Sequence, residues 1–341
     1  MQGYTFDGCS KNLSTARKLG CKVDNFESSF PHLSRPDKTI HIILDVCHML
    51  KLARNALGDK RVFYSEGRNT ICWNYIKELY NVRNEDVLLL GNKLKHKHIK
   101  WHKQKIKVAV AAQTLSISVA AGIMYLKSLK DSKPTADIIN KINNIFDILN
   151  SKSKFGRYFK CPLRLEIIDE VEKYWNEVIN YLKEIKEHDG RRIVDGPRKT
   201  FIVGFALSSK SIIAIAKHLL SRSYNSFDQV LTYRFSQDQV EICFSKIRSR
   251  LTWNNKPNAL QFKWALRALL QKNQITPHKS ANWTIVDEEK ISEEVKNPDE
   301  RILKCINSSP IWRDDVLVYI AGYIAKKIIP FIKCSECVEA L

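Results

Sequence analysis

Between Ser236 and Leu270 the chain reads SQDQVEICFSKIRSRLTWNNKPNALQFKWALRALL. Two acids, Asp238 and Glu241, stand three residues apart, which sets both carboxylates on one face of a helix. Val240, Phe244, Ile247 and Leu251 recur at helical spacing and predict one buried stripe. At ~100° per residue the acids lie roughly 120° round from that stripe, at the rim of the core, and Arg248 continues the polar line. Two carboxylates at a core rim could take a divalent cation. Two solvated acids on an amphipathic helix give the same pattern.

Further acids stand where strands should end. Residues 1–60 alternate strand, helix, strand, helix. Tyr4 to Phe6 stops at Asp7-Gly8, and Ser10 to Leu19 is helical with Gly20 as its cap. The apolar run His41 to Leu44 reads as a buried strand ending at Asp45, and Met49 to Leu57 as the helix after it. Such alternation predicts parallel strands, and sites form at their C-terminal ends. Asp also favours turns and helix N-caps on its own account. From Asp45 to Glu241 helical patterns dominate: Trp73–Tyr80, Lys103–Lys127, Thr135–Leu149, Leu165–Lys186 and Ser209–Ser221. Gly190–Lys199 reads as a loop.

The SQDQVE, FSKIRSRLTWNNKPNALQF and LRALL segments resemble the C-terminal signature of P-element-type transposases and their THAP-domain relatives. In that resemblance Glu241 is the last acid of an RNase H-like triad. Leu251-Thr252-Trp253 stands where the family usually has a Gly-Gly pair. FDGCSKN resembles the segment carrying the second catalytic acid and maps it to Asp7. LDVCHMLKLARN resembles the next strand and its Asp-x-x-His-x-x-Lys-x-x-Arg-Asn motif. That makes Asp45, His48 and Asp238 supporting residues beside the metal ligands Asp7 and Glu241. Lys51 and Arg54 are either phosphate contacts or part of a solvated face. GNKLKHKHI and FDILNS resemble two segments of the family's GTP-binding insertion, implying nucleotide-binding roles for Lys93 and Asp147. A carboxylate can accept both hydrogens from the guanine edge, and a lysine can neutralise phosphate. No G-x-x-x-x-G-K-[ST] loop is present.

The resemblance implies an α/β protein, a partial RNase H-like fold interrupted by a large, mostly α-helical insertion domain. The expected division is core at 1–60, GTP-binding-type insertion at 61–208 and core again at 209–275. Residues 276–341 are then a linker and an apolar helix ending in Cys334-x-x-Cys337. Mg²⁺ and GTP are the implied cofactors, DNA the partner, a homo-oligomer a possible assembly and the nucleus the location. No acid precedes Asp7, so the first member of the triad has no candidate, and the zinc-binding THAP domain has no counterpart. The expectation is a C-terminal transposase portion that does not cut DNA alone. The alternative is a domesticated, non-catalytic protein that binds DNA or guanine nucleotide.

Composition agrees with a polyanionic partner. The 341 residues are 44% hydrophobic and carry a formal charge of +20, enough apolar content to fold and enough cationic charge to favour nucleic acid. Lys93 to Lys107 holds seven lysines and three histidines around Trp101. Lys95, Lys97, Lys100 and Lys103, with Arg248, are candidate contacts to a DNA backbone, with Trp101 available for stacking. No base-reading motif accompanies them, so such contacts would be sequence-independent. Nine scattered cysteines make no disulfide framework and suit a reducing compartment. Val108 to Leu126 is long enough to span a bilayer, but its interior Gln, Thr and Ser residues favour burial in a soluble fold.

Overall fold

The computed structural model describes residues 2–85, 93–126, 131–221, 227–252, 254 and 256–272. The expected linker, apolar helix and CxxC pair lie outside the described residues, as do Gly91, Asn92 and Trp253.

The chain opens with strand β1 (Gln2–Phe6) and helix α1 (Ser10–Lys18), followed by β2 (Ser29–His32) and β3 (Arg35–Leu44). The three strands form a sheet in the order β1-β3-β2. β1 runs parallel to β3 with Phe6 opposite Leu44, whereas β2 runs antiparallel. The expected parallel pair is therefore present. β2 was not legible, because Ser29–His32 contains a proline and no alternation. β3 is longer than its apolar run because its polar first half pairs with β2 in a hairpin.

Helix α2 (Val46–Lys60) starts three residues earlier than periodicity suggested, because Asp45 caps it: the carboxylate accepts the His48 N–H at 2.9 Å. A small hairpin follows, β4 (Val62–Tyr64) with β5 (Thr70–Cys72), then the helical insertion: α3 (Asn74–Glu85), α4 (His96–Ile99), α5 (Val108–Thr114), α6 (Ile117–Tyr125), α7 (Lys133–Leu149) and α8 (Ile168–Glu184). The single helix expected over Lys103–Lys127 is instead a tight turn at Trp101–Gln104 followed by α5 and α6. Extended backbone at Ser116 makes the break, and the Ser116 hydroxyl donates back to the Gln113 carbonyl of α5.

Helix α9 (Thr200–Leu220) runs unbroken across the expected 208/209 boundary. It packs on β3 and α2, and its serines finish the sheet. The bonding of this edge to β3 ends where the Ile42 N–H donates to the Ser28 carbonyl at 2.8 Å. Ser208 Oγ instead accepts the Leu44 N–H at 2.8 Å and donates to the Leu44 carbonyl at 2.9 Å. Ser211 Oγ donates to the Ile42 carbonyl at 2.6 Å. Buried backbone groups need such partners. Thr200–Leu220 and Val108–Tyr125 are each apolar and long enough to cross a membrane. α9, however, lies mostly inside the fold, and the other stretch is divided between α5 and α6.

The chain ends its described part with α10 (Asp238–Arg250) and α11 (Ala259–Lys272). The expected stripe on α10 is not buried as a unit. Val240 and Phe244 are 52% and 47% exposed, while Asp238, Ile242 and Ile247 are buried. The reason is that α10 is held at its first turn by the sheet end and farther along by α11, through a small separate cluster of Ile247, Ala265 and Leu269. One continuous core joins everything before it, from Phe6 to Val230. Trp101 belongs to that core at 2% exposure. It lies under Gly58 of α2 and meets Trp73 edge-on, so it is not free to stack on a base.

A Cβ at Gly58 would come within 2.5 Å of the Trp101 ring. Gly58→Ala should therefore lower stability by roughly 1–3 kcal/mol through overpacking, although an exposed helix site would gain about 1 kcal/mol from the same change. Denaturant unfolding measures the sign.

Candidate active site at the C-terminal end of the sheet

Asp7 and Asp45 each follow the last residue of a parallel strand, and the Asp45 N–H donates to the Phe6 carbonyl at 2.8 Å. The two acids thus stand side by side at one end of the sheet. The returning chain is docked there too: Thr5 Oγ donates to the Phe235 carbonyl at 3.0 Å, and the Gln237 N–H donates to Asp45 Oδ1 at 3.2 Å. Those bonds bring the first turn of α10, with Asp238 and Glu241, over the start of α2.

Between α2 and α10 lies a cavity of about 250 Å³ lined by Asp45, Cys47, His48, Lys51, Ile106, Val108, Asp238 and Glu241. Asp45, His48, Asp238 and Glu241 are thereby brought together from opposite ends of the chain. Asp7 is beside them but does not line the cavity; its Oδ1 accepts the Cys9 N–H at 3.0 Å and the Asn12 side chain at 3.3 Å. Glu241 is exposed. His48 Nδ1 lies 3.4 Å from Asp45 Oδ2, and Lys51 Nζ lies 3.3 Å from His48 Nε2.

The two buried acids are shifted in opposite directions. Burial pushes the Asp45 carboxyl up, but hydrogen bonds from the His48 side chain and from the Gln237 and His48 N–H groups outweigh it and leave it below its ordinary value. Asp238 is raised, first by burial and then by the Asp45 and Glu241 charges, with Lys152 opposing at 3.7 Å. The Cys47 thiol is pushed well up by burial and by the same two aspartates.

Two residues of the strand-and-helix motif divide. Lys51 reaches the cavity. Arg54 is fully buried and donates to Asn55 Oδ1 and the Gln104 carbonyl, both at 2.8 Å; burial pushes its pKa down to about 10. Neither expected role of Arg54 holds, because the guanidinium anchors the Gln104–Lys105 backbone beneath α2. Lys95, Lys97, Lys100 and Lys103 are exposed and Arg248 half-buried, so the lysine run presents a solvated cationic face. Asp147 lies on α7, accepts from Asn143 Nδ2 at 2.9 Å and is raised by burial against the opposing Lys160 charge. Lys93 is exposed before α4, and no described contact links it to Asp147. Sequence reasoning missed Cys47 and Lys152. Cys47 sits within a motif already singled out, whereas Lys152 is in a loop with no periodic signal.

Known proteins agree with this layout. Residues 47–162 match the family described as TNP-like, GTP-binding insertion domain, and residues 233–267 match TNP-like, RNase H C-terminal domain. The fold and matches define an RNase H-like core interrupted by a helical insertion of the GTP-binding type. DNA transposase THAP9 of Homo sapiens is 25% identical over 99% of this chain and 41% of its own length. The Transposable element P transposase of Drosophila melanogaster is 27% identical over 96% and 46%. The chain thus spans less than half the length of these curated relatives. A solved Drosophila P element transposase strand transfer complex matches with a TM-score of 0.65 and 26% identity, covering 80% of this chain and 61% of that one. By two domain matches, two relatives and one solved structure, the chain is similar to the P-element-type transposases.

The opposite shifts give opposite pH behaviour. A depressed carboxyl stabilises the fold at neutral pH and loses that contribution as pH falls through its lowered value. A raised one opposes folding when ionised and is relieved on acidification. In the presence of a chelator, Asp45→Ala should cost roughly 2–4 kcal/mol at neutral pH, from a lost cap and an orphaned N–H, with the gap narrowing in acid. Asp238→Asn should be neutral or stabilising at neutral pH. Unfolding curves at the two pH values check both signs.

Proposed function

We propose that this chain supplies two acids, Asp7 and Glu241, to a metal-dependent DNA cleavage and strand-transfer centre of the P-element type, acting in the nucleus. The observation that supports the reading is the convergence of strand-end acids with the first turn of α10, from positions roughly two hundred residues apart in sequence. Hard divalent ions such as Mg²⁺ take oxygen donors, and the Asp45, Asp238 and Glu241 carboxylates around the cavity, with Asp7 next to it, fit that preference. When bound, such ions activate the attacking oxygen and stabilise the leaving one.

The protein's own contributions follow from the geometry. Asp45 fixes the approach of α10 by accepting the Gln237 N–H. His48 orients against Asp45, and Lys51 brings positive charge to the cavity wall. Lys95, Lys97, Lys100, Lys103 and Arg248 neutralise DNA phosphates without reading bases. In the insertion, residues 61–208 of the proposed division, Asp147 selects guanine and Lys93 answers phosphate charge. A homo-oligomer is the assembly that would bring two such centres to paired DNA ends.

In a polypeptide of this type that cleaves DNA with Mg²⁺, Asp7→Asn and Glu241→Gln should each abolish cleavage while leaving DNA binding intact. Undiminished cleavage by either variant would remove that residue from the centre. A chain that binds DNA yet shows no Glu241-dependent cleavage in any assembly would favour the non-catalytic reading instead. For the nucleotide, titration should give tighter binding of GTP than ATP, with the preference lost in Asp147→Asn; equal affinities in the parent protein would end the guanine role.

A further inference from the structure

The cavity between α2 and α10 contains one group that strand transfer leaves without a task. Cys47 lies in the first turn of α2, is 8% exposed and lines the cavity. Its thiol is free and has no hydrogen-bond partner among the described residues. Asp45, Cys47 and Asp238 each direct a donor atom to one place, and those three atoms lie within 4.8 Å of one another. Asp45 is 2% exposed and Asp238 9%.

We propose that Asp45, Cys47 and Asp238 form a binding site for a thiophilic divalent cation of the Zn²⁺ class, distinct in its donors from the Asp7 and Glu241 pair. Asp45 Oδ2 takes both the His48 N–H and the His48 ring, whereas Oδ1 accepts only the Gln237 N–H and keeps a lone pair, so the carboxylate can cap α2 and still ligate. Coordination releases the thiol proton to solvent, as thiolate is the ligating form. Two carboxylates and a thiolate then sum to three negative charges. The dication and the Lys152 ammonium, 3.7 Å from Asp238, balance them. Without an ion, two buried carboxylates share one pocket, with Lys152 paired to Asp238 and Lys51 at the wall, and burial of such charges is costly.

The donor set also chooses the ion. Mg²⁺ demands oxygen ligands in near-ideal octahedral geometry, whereas sulfur with carboxylate suits Zn²⁺ or its spectroscopic substitute Co²⁺. The cavity leaves room for water as a further ligand. Because Asp45 belongs to β3's end and Asp238 to α10, the bound ion ties the returning helix to the sheet. The site shares Asp45 and Asp238 with the carboxylates proposed above but uses neither Asp7 nor Glu241, and its test reads sulfur ligation, so its failure and that of the strand-transfer reading are distinguishable.

The test uses the full chain with Cys334→Ser and Cys337→Ser, which removes a second sulfur pair able to take the same metals. Chelator-treated protein is titrated with Co²⁺ while the sulfur-to-cobalt charge-transfer absorbance is recorded, and Zn²⁺ is counted by equilibrium dialysis. One equivalent should bind with a thiolate band and resist a large excess of Mg²⁺. Cys47→Ser should remove the band. Asp238→Asn should keep it but weaken Zn²⁺ binding by about tenfold or more. On the parent chain itself, Zn²⁺ should slow alkylation of Cys47 read by peptide mapping, a result that needs no variant at that position. Absence of the band, its survival in a folded Cys47→Ser protein, or Cys47 labelling indifferent to Zn²⁺ would each overturn the site.

Discussion

One buried carboxylate joins the end of β3 and the start of α2 to a segment almost two hundred residues away in sequence. Asp45 ends β3, caps α2 through the His48 N–H and takes the Gln237 N–H ahead of α10. Withdrawing a carboxylate from water is expensive, and only hydrogen bonds to its charged form make it tolerable. Here those bonds are backbone and side-chain donors whose positions define the site. The fold and the site therefore share a constraint: if the acid is satisfied, α10 is in place. The serine bracket from α9 works in the same way one residue earlier, closing the sheet edge at Leu44 so that Asp45 emerges at a fixed point.

Such anchoring explains how a helical insertion can interrupt the core without displacing its acids. α2 serves both sides. One face packs with α9 and the strand end; another meets α5, α7 and the Trp101 turn, where Arg54 holds the Gln104 carbonyl. The insertion is thus continuous with the core rather than tethered to it, and the hydrophobic cluster runs through both. The return is equally fixed. Val230 pairs with Leu163, and Thr232 Oγ accepts the Ser151 N–H at 2.9 Å, so the chain leaving the insertion is held along the end of α7 before it reaches Phe235. A segment so guided loses little further entropy when Gln237 finds Asp45.

What the sequence made legible follows from how local each feature is. The strand before Asp45 and helices α7 and α8 were readable, since a buried run or a 3.6-residue period is written in adjacent residues. Asp45, His48, Asp238 and Glu241 could be named from motifs, but their meeting depends on contacts almost two hundred residues apart. The α10 stripe misled because Val240 and Phe244 repeat at helical spacing, yet the helix is seated by its polar first turn and by α11. Trp101 looked available because its neighbours are charged, although the absence of a side chain at Gly58 gives it a buried seat. Cys47 was overlooked because a single cysteine between two motif residues has no pattern; only the fold shows it beside two aspartates.

The electrostatics of the cavity run against those of the chain. The chain carries a formal charge of +20, part of it on the exposed lysines of the Lys93–Lys107 segment, a field that favours anions, and Lys51 continues it to the cavity wall. Inside, Asp45, Asp238 and Glu241 oppose both a phosphate and one another. Asp45 stays ionised because backbone donors hold it, and Asp238 bears the cost as a raised pKa. Carboxyls pushed in opposite directions by their surroundings recur at functional sites and in structural networks alike. A phosphate cannot approach such acids unless cations stand between them, so under the proposed function a long-range field that would gather DNA and a short-range one that would repel it call for bound metal. The acids alone would guard the site; with the cations of the proposed function they would become its means of holding a nucleic-acid backbone.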